Sequence, residues 1–375
     1  MFENVRSLFD IPSDVTYLNC AAQSPHTLAA KDGGEAGIAI KSHPWTLDPE
    51  FWNRNSDELR NLFAGLIGAK GTDIALVPST AYGVATAAAN LPLEKGQNIV
   101  LIEGQYPSNV IAWERLATDQ GGVIKEVARP DDYNWTPWVI EAITDQTGIV
   151  TLPPCHWMDG SKLDLVAIGE RCRQVGAAFV IDATQVVGAM ELDIGAIKPD
   201  FLIASGYKWL LSPIGSAFLY AAPKQQLGKA IEHSTFNCLD RDPVSGIYSA
   251  KEGSQRYDMG GRNNFILQSL ALKSLQQVNE WGPGNIQREL TPLTDLVAEQ
   301  AEERGWIVPG KNNRIGHIIG INFPEGRPEN VQKRLAVENV FVSERGTGLR
   351  VSPYLYNNRS DIERLFNALD NVIRG

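Results

Sequence analysis

The sequence predicts an α/β fold in which a large, mostly parallel, doubly wound sheet is followed by a smaller C-terminal α+β unit. Short apolar runs alternate with helix-like segments through the first two thirds of the chain, and this alternation is typical of parallel strands joined by crossover helices. The runs are almost continuously apolar, as expected of strands that are covered on both faces. In the last third, two long helical patterns precede shorter strand candidates, which indicates a change of architecture.

The predicted strands of the sheet are five apolar runs, at residues 98–102, 148–152, 178–181, 201–204 and 215–220. Residues 165–176 lie between the second and third of these runs and carry a helical pattern. Ligands of doubly wound sheets bind beyond the carboxyl ends of the strands. Polar residues that directly follow these runs are therefore the first candidates for a binding site.

The C-terminal third is predicted to contain helices at 265–280 and 286–304, with a loop at 281–284 between them. A last helix is expected at 360–373, with Ser360 as its N-cap. Shorter strand candidates lie near residues 317–323, 340–343 and 348–352.

The length of the chain, 375 residues, favours more than one hydrophobic core. The change of pattern predicts a large α/β domain at 15–265 and a small α+β domain at 266–375. We expect residues 1–14 to pack on the small domain.

Composition and charge exclude several classes of protein. A formal net charge of −10 argues against a nucleic-acid scaffold, which usually carries a basic face. No apolar stretch reaches the ~18 residues of a membrane span, and the N-terminal segment does not resemble a secretory signal. Cys20, Cys155, Cys172 and Cys238 form no CxxC pair, so neither a metal site nor a disulfide framework is expected. These features predict a cytoplasmic protein with no membrane or nucleic-acid partner.

The strongest chemical signal is a pair of polar residues at the ends of two neighbouring strand candidates. Asp182 directly follows the run at 178–181, and Lys208 lies just past the run at 201–204. A buried carboxylate favours a cationic partner, and a protonated pyridine nitrogen is one. Lys208 can attack an aldehyde when its amine is neutral, which an apolar setting favours. These residues point to pyridoxal 5′-phosphate (PLP), whereas a structural ion pair is the alternative.

Four further residues satisfy other requirements of this cofactor. Ser79 and Thr80 precede a helical run, where hydroxyls and free N–H groups attract a phosphate. An ordinary helix cap is the alternative there. Ser205 adds a hydroxyl three residues before Lys208, and Tyr106 follows a strand end, where its ring could cover a pyridine face. Tyr106 could equally be a rim tyrosine.

Arg350 lies among apolar residues in the strand candidate at 348–352. A guanidinium in such a setting usually has a bidentate anionic partner. The carboxylate of an amino-acid substrate is one such partner, and a structural salt bridge is the alternative.

With these residues in place, the chain resembles the class V aminotransferase superfamily of fold-type I PLP enzymes, which includes cysteine desulfurases, selenocysteine lyases, kynureninase and isopenicillin N epimerase. The resemblance runs from residue 15 to residue 357 and is most specific over 181–188 and 205–215. It implies a PLP-dependent transferase fold with a seven-stranded sheet, and a Schiff base on Lys208. It also implies an amino-acid substrate and a homodimer with active sites at the interface. A transferase is expected, with lyase and isomerase activities as alternatives.

The resemblance also implies roles for individual residues. The cofactor-binding positions are Ser79, Thr80, Ala81, Tyr106, Asp182, Gln185, Ser205, Tyr207 and Lys208. Gly261 and Asn263 lie on a loop that would reach the phosphate of the neighbouring subunit. The substrate-binding positions are Arg350, His156 and Trp157, and we expect Asn19 to shape the same substrate-binding pocket.

Two departures from the desulfurase pattern narrow the function. Desulfurases carry a nucleophilic cysteine just before the carboxylate-binding arginine, but residues 340–349 contain none. Their histidine base is replaced by Tyr106. A cysteine desulfurase or selenocysteine lyase is therefore the disfavoured alternative. A nicotinamide-dependent dehydrogenase lacks support because no GxGxxG is present. A non-catalytic descendant would be expected to have lost Lys208.

Overall fold

The computed structural model describes residues 5–47 and 50–374. Its strands are β1 (Thr16–Tyr17), β2 (Ile74–Val77), β3 (Asn98–Ile102), β4 (Val123–Val127), β5 (Thr147–Leu152), β6 (Ala178–Asp182), β7 (Phe201–Ser205), β8 (Ala217–Ala221), β9 (Cys238–Arg241), β10 (Tyr248–Ala250), β11 (Ile319–Asn322), β12 (Val340–Phe341), β13 (Ser343–Arg345) and β14 (Gly348–Val351). Its α-helices are α1 (Leu28–Ser42), α2 (Phe51–Ile67), α3 (Thr80–Asn90), α4 (Ile111–Gln120), α5 (Trp135–Ala142), α6 (Leu165–Val175), α7 (Ile194–Ile197), α8 (Phe265–Trp281), α9 (Pro283–Glu302), α10 (Val331–Val337) and α11 (Arg359–Arg374).

A seven-stranded sheet in the order β2-β8-β7-β6-β5-β3-β4 forms the centre of the protein. Only β8 runs antiparallel to its neighbours in this sheet, β2 and β7. The predicted mostly parallel α/β fold is confirmed, and the five predicted strands correspond to β3, β5, β6, β7 and β8. The sequence did not predict β2, which is short, or β4, whose Lys125 and Glu126 interrupt the apolar pattern at an exposed edge.

Successive residues of the central strands alternate between two hydrophobic cores. Val180 and Ile203 pack with apolar residues of α3 and α4 on one face. Ile181 and Leu202 pack with residues of α2, α5 and α6 on the other face. Because both faces are covered, the strands have the continuous apolar composition that the sequence shows.

A buried ion pair fixes the strand that leads into the candidate phosphate turn. The Arg60 guanidinium donates to both carboxylate oxygens of Asp258, at 2.9 and 2.5 Å, and to the carbonyl of Ile74 at 2.6 Å. Asp258 also accepts the N–H of Leu76 at 2.9 Å. Because its charges are paired and bonded to the backbone, this cluster holds β2 and the residues after it in place.

Helices α8 and α9 meet at a single residue, Gly282, instead of the predicted loop at 281–284. Gly282 has a φ of 76°, a conformation that glycine adopts without strain, and it ends α8 directly before Pro283 starts α9. Leu275 of α8 belongs to the core on the face of the sheet that α2, α5 and α6 cover, whereas Val297 of α9 belongs to a separate C-terminal core. The boundary between residues 265 and 266 stays a prediction.

The C-terminal unit contains the antiparallel sheet β11-β14-β13 and the helix α11. The prediction that Ser360 caps the last helix is wrong. The side chain of Asn358 accepts the N–H of Ser360 at 2.9 Å, so Asn358 fills the capping role and Ser360 lies in the first turn. Both residue types cap helices well, and sequence alone does not separate them.

The N-terminal segment, of which residues 1–4 lie outside the described range, contacts C-terminal residues. The ring of Phe9 packs edge-on against Tyr356 with centroids 5.0 Å apart. Arg6 donates to the carbonyl of Tyr356 at 3.1 Å.

Among the helices of the described residues, none combines the length and apolar character that crossing a membrane requires.

Candidate functional site

A cavity of about 110 Å³ lies at the carboxyl ends of the central strands. It brings together most of the residues that the sequence singles out: Ser79, Thr80, Ala81, Tyr106, Trp157, Asp182, Gln185, Ser205, Tyr207 and Lys208. They come from distant parts of the chain and meet here because the carboxyl ends of parallel strands lie side by side.

Lys208 is a buried amine in this cavity, with 6% of its surface exposed. Its Nζ lies 5.4 Å from the ring centroid of Tyr106 and 5.5 Å from that of Tyr207. Burial and the nearby Arg350 guanidinium lower the pKa of Lys208 to about 8, against the opposing attraction of Asp182. A substantial fraction of this amine is therefore neutral near pH 8, as attack on an aldehyde requires.

Asp182 ends β6 and is buried, with 7% of its surface exposed. Its Oδ1 accepts the N–H of Thr184 at 3.1 Å. Burial raises the pKa of Asp182, while bonds from Thr184 and the charge of Lys208 act in the opposite direction. A cation placed against this carboxylate would favour its charged form, and the protonated ring nitrogen of PLP is such a cation.

A cluster of hydroxyl groups lies at the start of α3. Ser79 is the N-cap of this helix, and its side chain accepts the N–H of Tyr82 at 3.2 Å. The Thr80 hydroxyl lies 2.7 Å from that of Ser205 and 2.9 Å from that of Thr184. Hydroxyls at a helix N-terminus suit a phosphate dianion.

Thr184 was not among the predicted site residues, although its position in the sequence indicates a place in the site. It lies between Asp182 and Gln185, directly after β6. Its hydroxyl accepts the N–H of Ser205 at 3.1 Å and so joins the ends of β6 and β7.

Gln185 has a fixed side-chain orientation. Its amide oxygen accepts the indole N–H of Trp209 at 3.0 Å, and its amide nitrogen donates to the carbonyl of Ala21 at 3.2 Å. One amide hydrogen has no partner among these bonds, and the phenolic oxygen of PLP could accept it.

Arg350 lies on β14 beside Trp157 and is 1% exposed. Its Nη1 donates to the carbonyl of Trp157 at 2.8 Å, while Nε and Nη2 are buried without a partner. Burial and the charge of Arg345 lower the pKa of Arg350 to about 9. Two buried donors of one guanidinium that lack an acceptor suit a carboxylate.

Arg350 does not itself line this cavity, and the structure does not bring the remaining predicted residues to the cavity wall either. His156 is fully buried, stacks on Trp135 with centroids 5.6 Å apart, and lies between Arg129 and the carbonyl of Glu103. Its pKa is lowered by burial. Its Nδ1 also lies 3.4 Å from the backbone N–H of Met158, so His156 holds the loop around Trp157 and does not face the cavity.

Asn19, Gly261 and Asn263 also lie outside the cavity wall. Asn19 accepts a bond from the hydroxyl of Ser343 at 2.6 Å and thereby contacts β13. Asn263 accepts from Ser56 on α2 at 3.1 Å. The predicted contact of Gly261 and Asn263 with a neighbouring subunit's phosphate stays a prediction.

Comparisons with known proteins identify the family of the chain. The family model for aminotransferase class-V matches residues 52–365. The chain is 26% identical over 339 residues to a probable cysteine desulfurase of Methanothermobacter thermautotrophicus, covering 85% of this chain and 84% of that protein. It is 27% identical over 343 residues to isopenicillin N epimerase of Streptomyces clavuligerus, covering 84% and 83%.

Solved structures share the fold. The apo structure of a cysteine desulfurase from Thermococcus onnurineus NA1 matches with a TM-score of 0.88 and 21% identity, covering 100% of this chain and 98% of that one. A buried lysine, a buried carboxylate and a hydroxyl cluster meet at one cavity, and the family model covers most of the chain. The chain therefore belongs to the aminotransferase class-V family and is a PLP enzyme.

Proposed function

We propose that Lys208 binds PLP covalently and then moves a proton at the α-carbon of an amino acid whose carboxylate Arg350 holds. The observation that supports this most directly is the placement of a buried lysine in one cavity with a buried carboxylate, Asp182. When bound, PLP supplies an electron sink for negative charge at the α-carbon.

Different residues of the cavity would bind the phosphate and the ring of this cofactor. The hydroxyls of Thr80, Thr184 and Ser205 would hold the phosphate at the N-terminus of α3. Asp182 would keep the ring nitrogen protonated, and the ring of Tyr106 would cover one face.

The substrate would be oriented by Arg350, because its unpartnered Nε and Nη2 offer two parallel donors to a carboxylate. Once the substrate amine has released Lys208, this lysine is the base that takes the α-proton and returns it. Transamination, epimerisation and elimination share this step, and they differ in where the proton and the side chain go.

A persulfide-forming desulfurase is disfavoured by the positions of the cysteines. That chemistry needs a reactive thiolate, and no cysteine lines the cavity in the described part of the chain. Cys20 and Cys155 lie nearby, but both are fully buried, and burial raises their pKa far above the usual range.

Exchange of the α-proton tests this proposal for all three reactions at once. A panel of amino acids is incubated with the holoenzyme in D₂O, and NMR follows loss of the α-proton signal. We expect exchange with at least one amino acid, and the product then identifies the reaction: a keto acid, an enantiomer or an eliminated side chain. No exchange with any member of the panel would reject the proposed function.

We also propose a homodimer. The hairpin β9–β10 carries strongly exposed apolar side chains, among them Val244 at 94% and Ile247 at 68%, which a second copy would cover. The placement of Gly261 and Asn263 away from their own chain's cavity fits sites that are completed across an interface. We expect a mass in solution of twice that of the chain, and a fully active monomer would contradict the proposal.

We infer a cytoplasmic location from the cysteines, because Cys20, Cys155, Cys172 and Cys238 are free thiols. Free thiols of this kind are typical of reducing compartments. Cell fractionation tests the inference, and recovery of the protein outside the cytoplasmic fraction would contradict it.

A further inference from the structure

A second cavity, of about 310 Å³, is linked to the first by a hydrogen bond of Trp157. The indole ring of Trp157 lines the first cavity, and its N–H donates at 2.8 Å to the carbonyl of Gly104, a residue that lines the second. The second cavity also contains Arg345, on β13. The proposed function assigns no role to this space.

Arg345 and Arg350 lie on the same face of the β13–β14 hairpin. Ser343 pairs directly with Arg350 across the two strands. Directly paired residues share a face of the sheet, and so do residues two apart on one strand, which places Arg345 with Ser343 and Arg350. The guanidinium of Arg345 lies 5.4 Å from the centre of the Trp157 ring, and that of Arg350 lies 5.9 Å from it.

The charge of Arg345 is not neutralised within the described residues. Its Nη1 donates to the carbonyl of Glu344 at 2.8 Å, and its Nε is buried without a partner. The carboxylate of Glu344 pairs instead with Arg327 at 3.1 Å. In the same cavity Arg129 differs, because Asp159 pairs with it. Arg345 is therefore a half-buried cation with a free buried donor.

Arg345 and Arg350 therefore each have a guanidinium group with unused donors, and both groups lie within cation–π distance of the Trp157 indole ring. A single α-carboxylate can satisfy the two free donors of Arg350. The free Nε–H of Arg345 can then donate to a further anionic group, and the second cavity, which Arg345 lines, has room for the chain that carries it.

We propose that Arg345 binds the side-chain carboxylate of the substrate, which makes the substrate an α-amino dicarboxylic acid. This proposal rests on the proposed function for the position of the α-carboxylate at Arg350. The side chain of the substrate would run along the Trp157 ring into the second cavity. Arg345 is a specificity-determining residue in this arrangement, and the proton step does not depend on it.

Binding of acids that lack an amino group tests the proposal without any reaction. Calorimetry on the holoenzyme compares glutarate with butyrate, which has one carboxylate fewer on a chain of similar length. A charge-assisted bond predicts that glutarate binds about 10- to 100-fold more tightly. In Arg345→Gln this preference should disappear while butyrate affinity stays unchanged, and Arg345→Lys should keep part of it.

The matched control is Arg359→Gln, because Arg359 is an exposed arginine on α11 that pairs with Glu363. It should leave both affinities unchanged. Equal affinity for glutarate and butyrate in the unsubstituted holoenzyme would overturn the proposal, whatever the stability of the variants. An equal loss for both acids in Arg345→Gln would also overturn it, since Arg345 would then bind the α-carboxylate. Failure of α-proton exchange together with a retained glutarate preference would reject the proposed function and support this anion site.

Discussion

Replacing Lys208 with alanine is expected to abolish covalent attachment of PLP and to lower turnover by about 10²- to 10⁴-fold. The variant loses the amine that joins the cofactor and the base that moves the α-proton. Absorbance of the purified holoprotein measures the first effect, since the visible band of the imine should be absent. Initial rates with an active amino acid measure the second.

Lys95→Ala is the control for this change, because Lys95 is an exposed lysine outside the cavity. It should leave both the visible band and the rate unchanged. The pH dependence of attachment gives a further check on Lys208. Since only the neutral amine attacks an aldehyde, the pKa of about 8 predicts that attachment slows about tenfold for each pH unit below pH 8 and levels off above it. A rate that kept rising to pH 10 would contradict the lowered pKa.

Asp182→Asn is expected to lower turnover by about 100-fold or more while covalent attachment of PLP persists. Asparagine keeps the shape of the side chain but removes the charge that would hold a proton on the ring nitrogen. The ring then accepts electrons poorly, and α-proton exchange slows. The measurements are the rate of exchange and the visible absorbance of the same sample.

Asp200→Asn serves as the matched control for Asp182. Asp200 is also a buried carboxylate, and it accepts the backbone N–H of Phe179 near the amino ends of β6 and β7, away from the cavity. Its replacement should lower stability but leave the turnover of the folded protein near normal. Near-normal turnover in Asp182→Asn would show that the ring nitrogen does not depend on this carboxylate.

Much of the site could be predicted because it depends on local sequence. Asp182, Ser205 and Lys208 directly follow or end buried strands, and the geometry of a parallel sheet brings such positions together. Ser79 and Thr80 could be predicted for a similar reason, since an N-cap signal marks the helix start that would hold a phosphate.

The parts that could not be predicted depend on contacts between distant segments. His156 resembles a pocket residue in sequence, but its stacking on Trp135 and its contact with Arg129 follow from packing that no local pattern encodes. In the sequence, Arg345 directly precedes the polar, glycine-rich residues 346–348, which is typical of a solvent-exposed turn. Only the pairing of β13 with β14 shows that it shares a face with Arg350.

The identity of the lysine that carries PLP is the most direct test. The holoprotein is reduced with borohydride, digested, and its peptides are sequenced by mass spectrometry. We predict one pyridoxyl-phosphate adduct, on Lys208. An adduct on a different lysine, or a fully loaded protein with no adduct, would contradict the site described above.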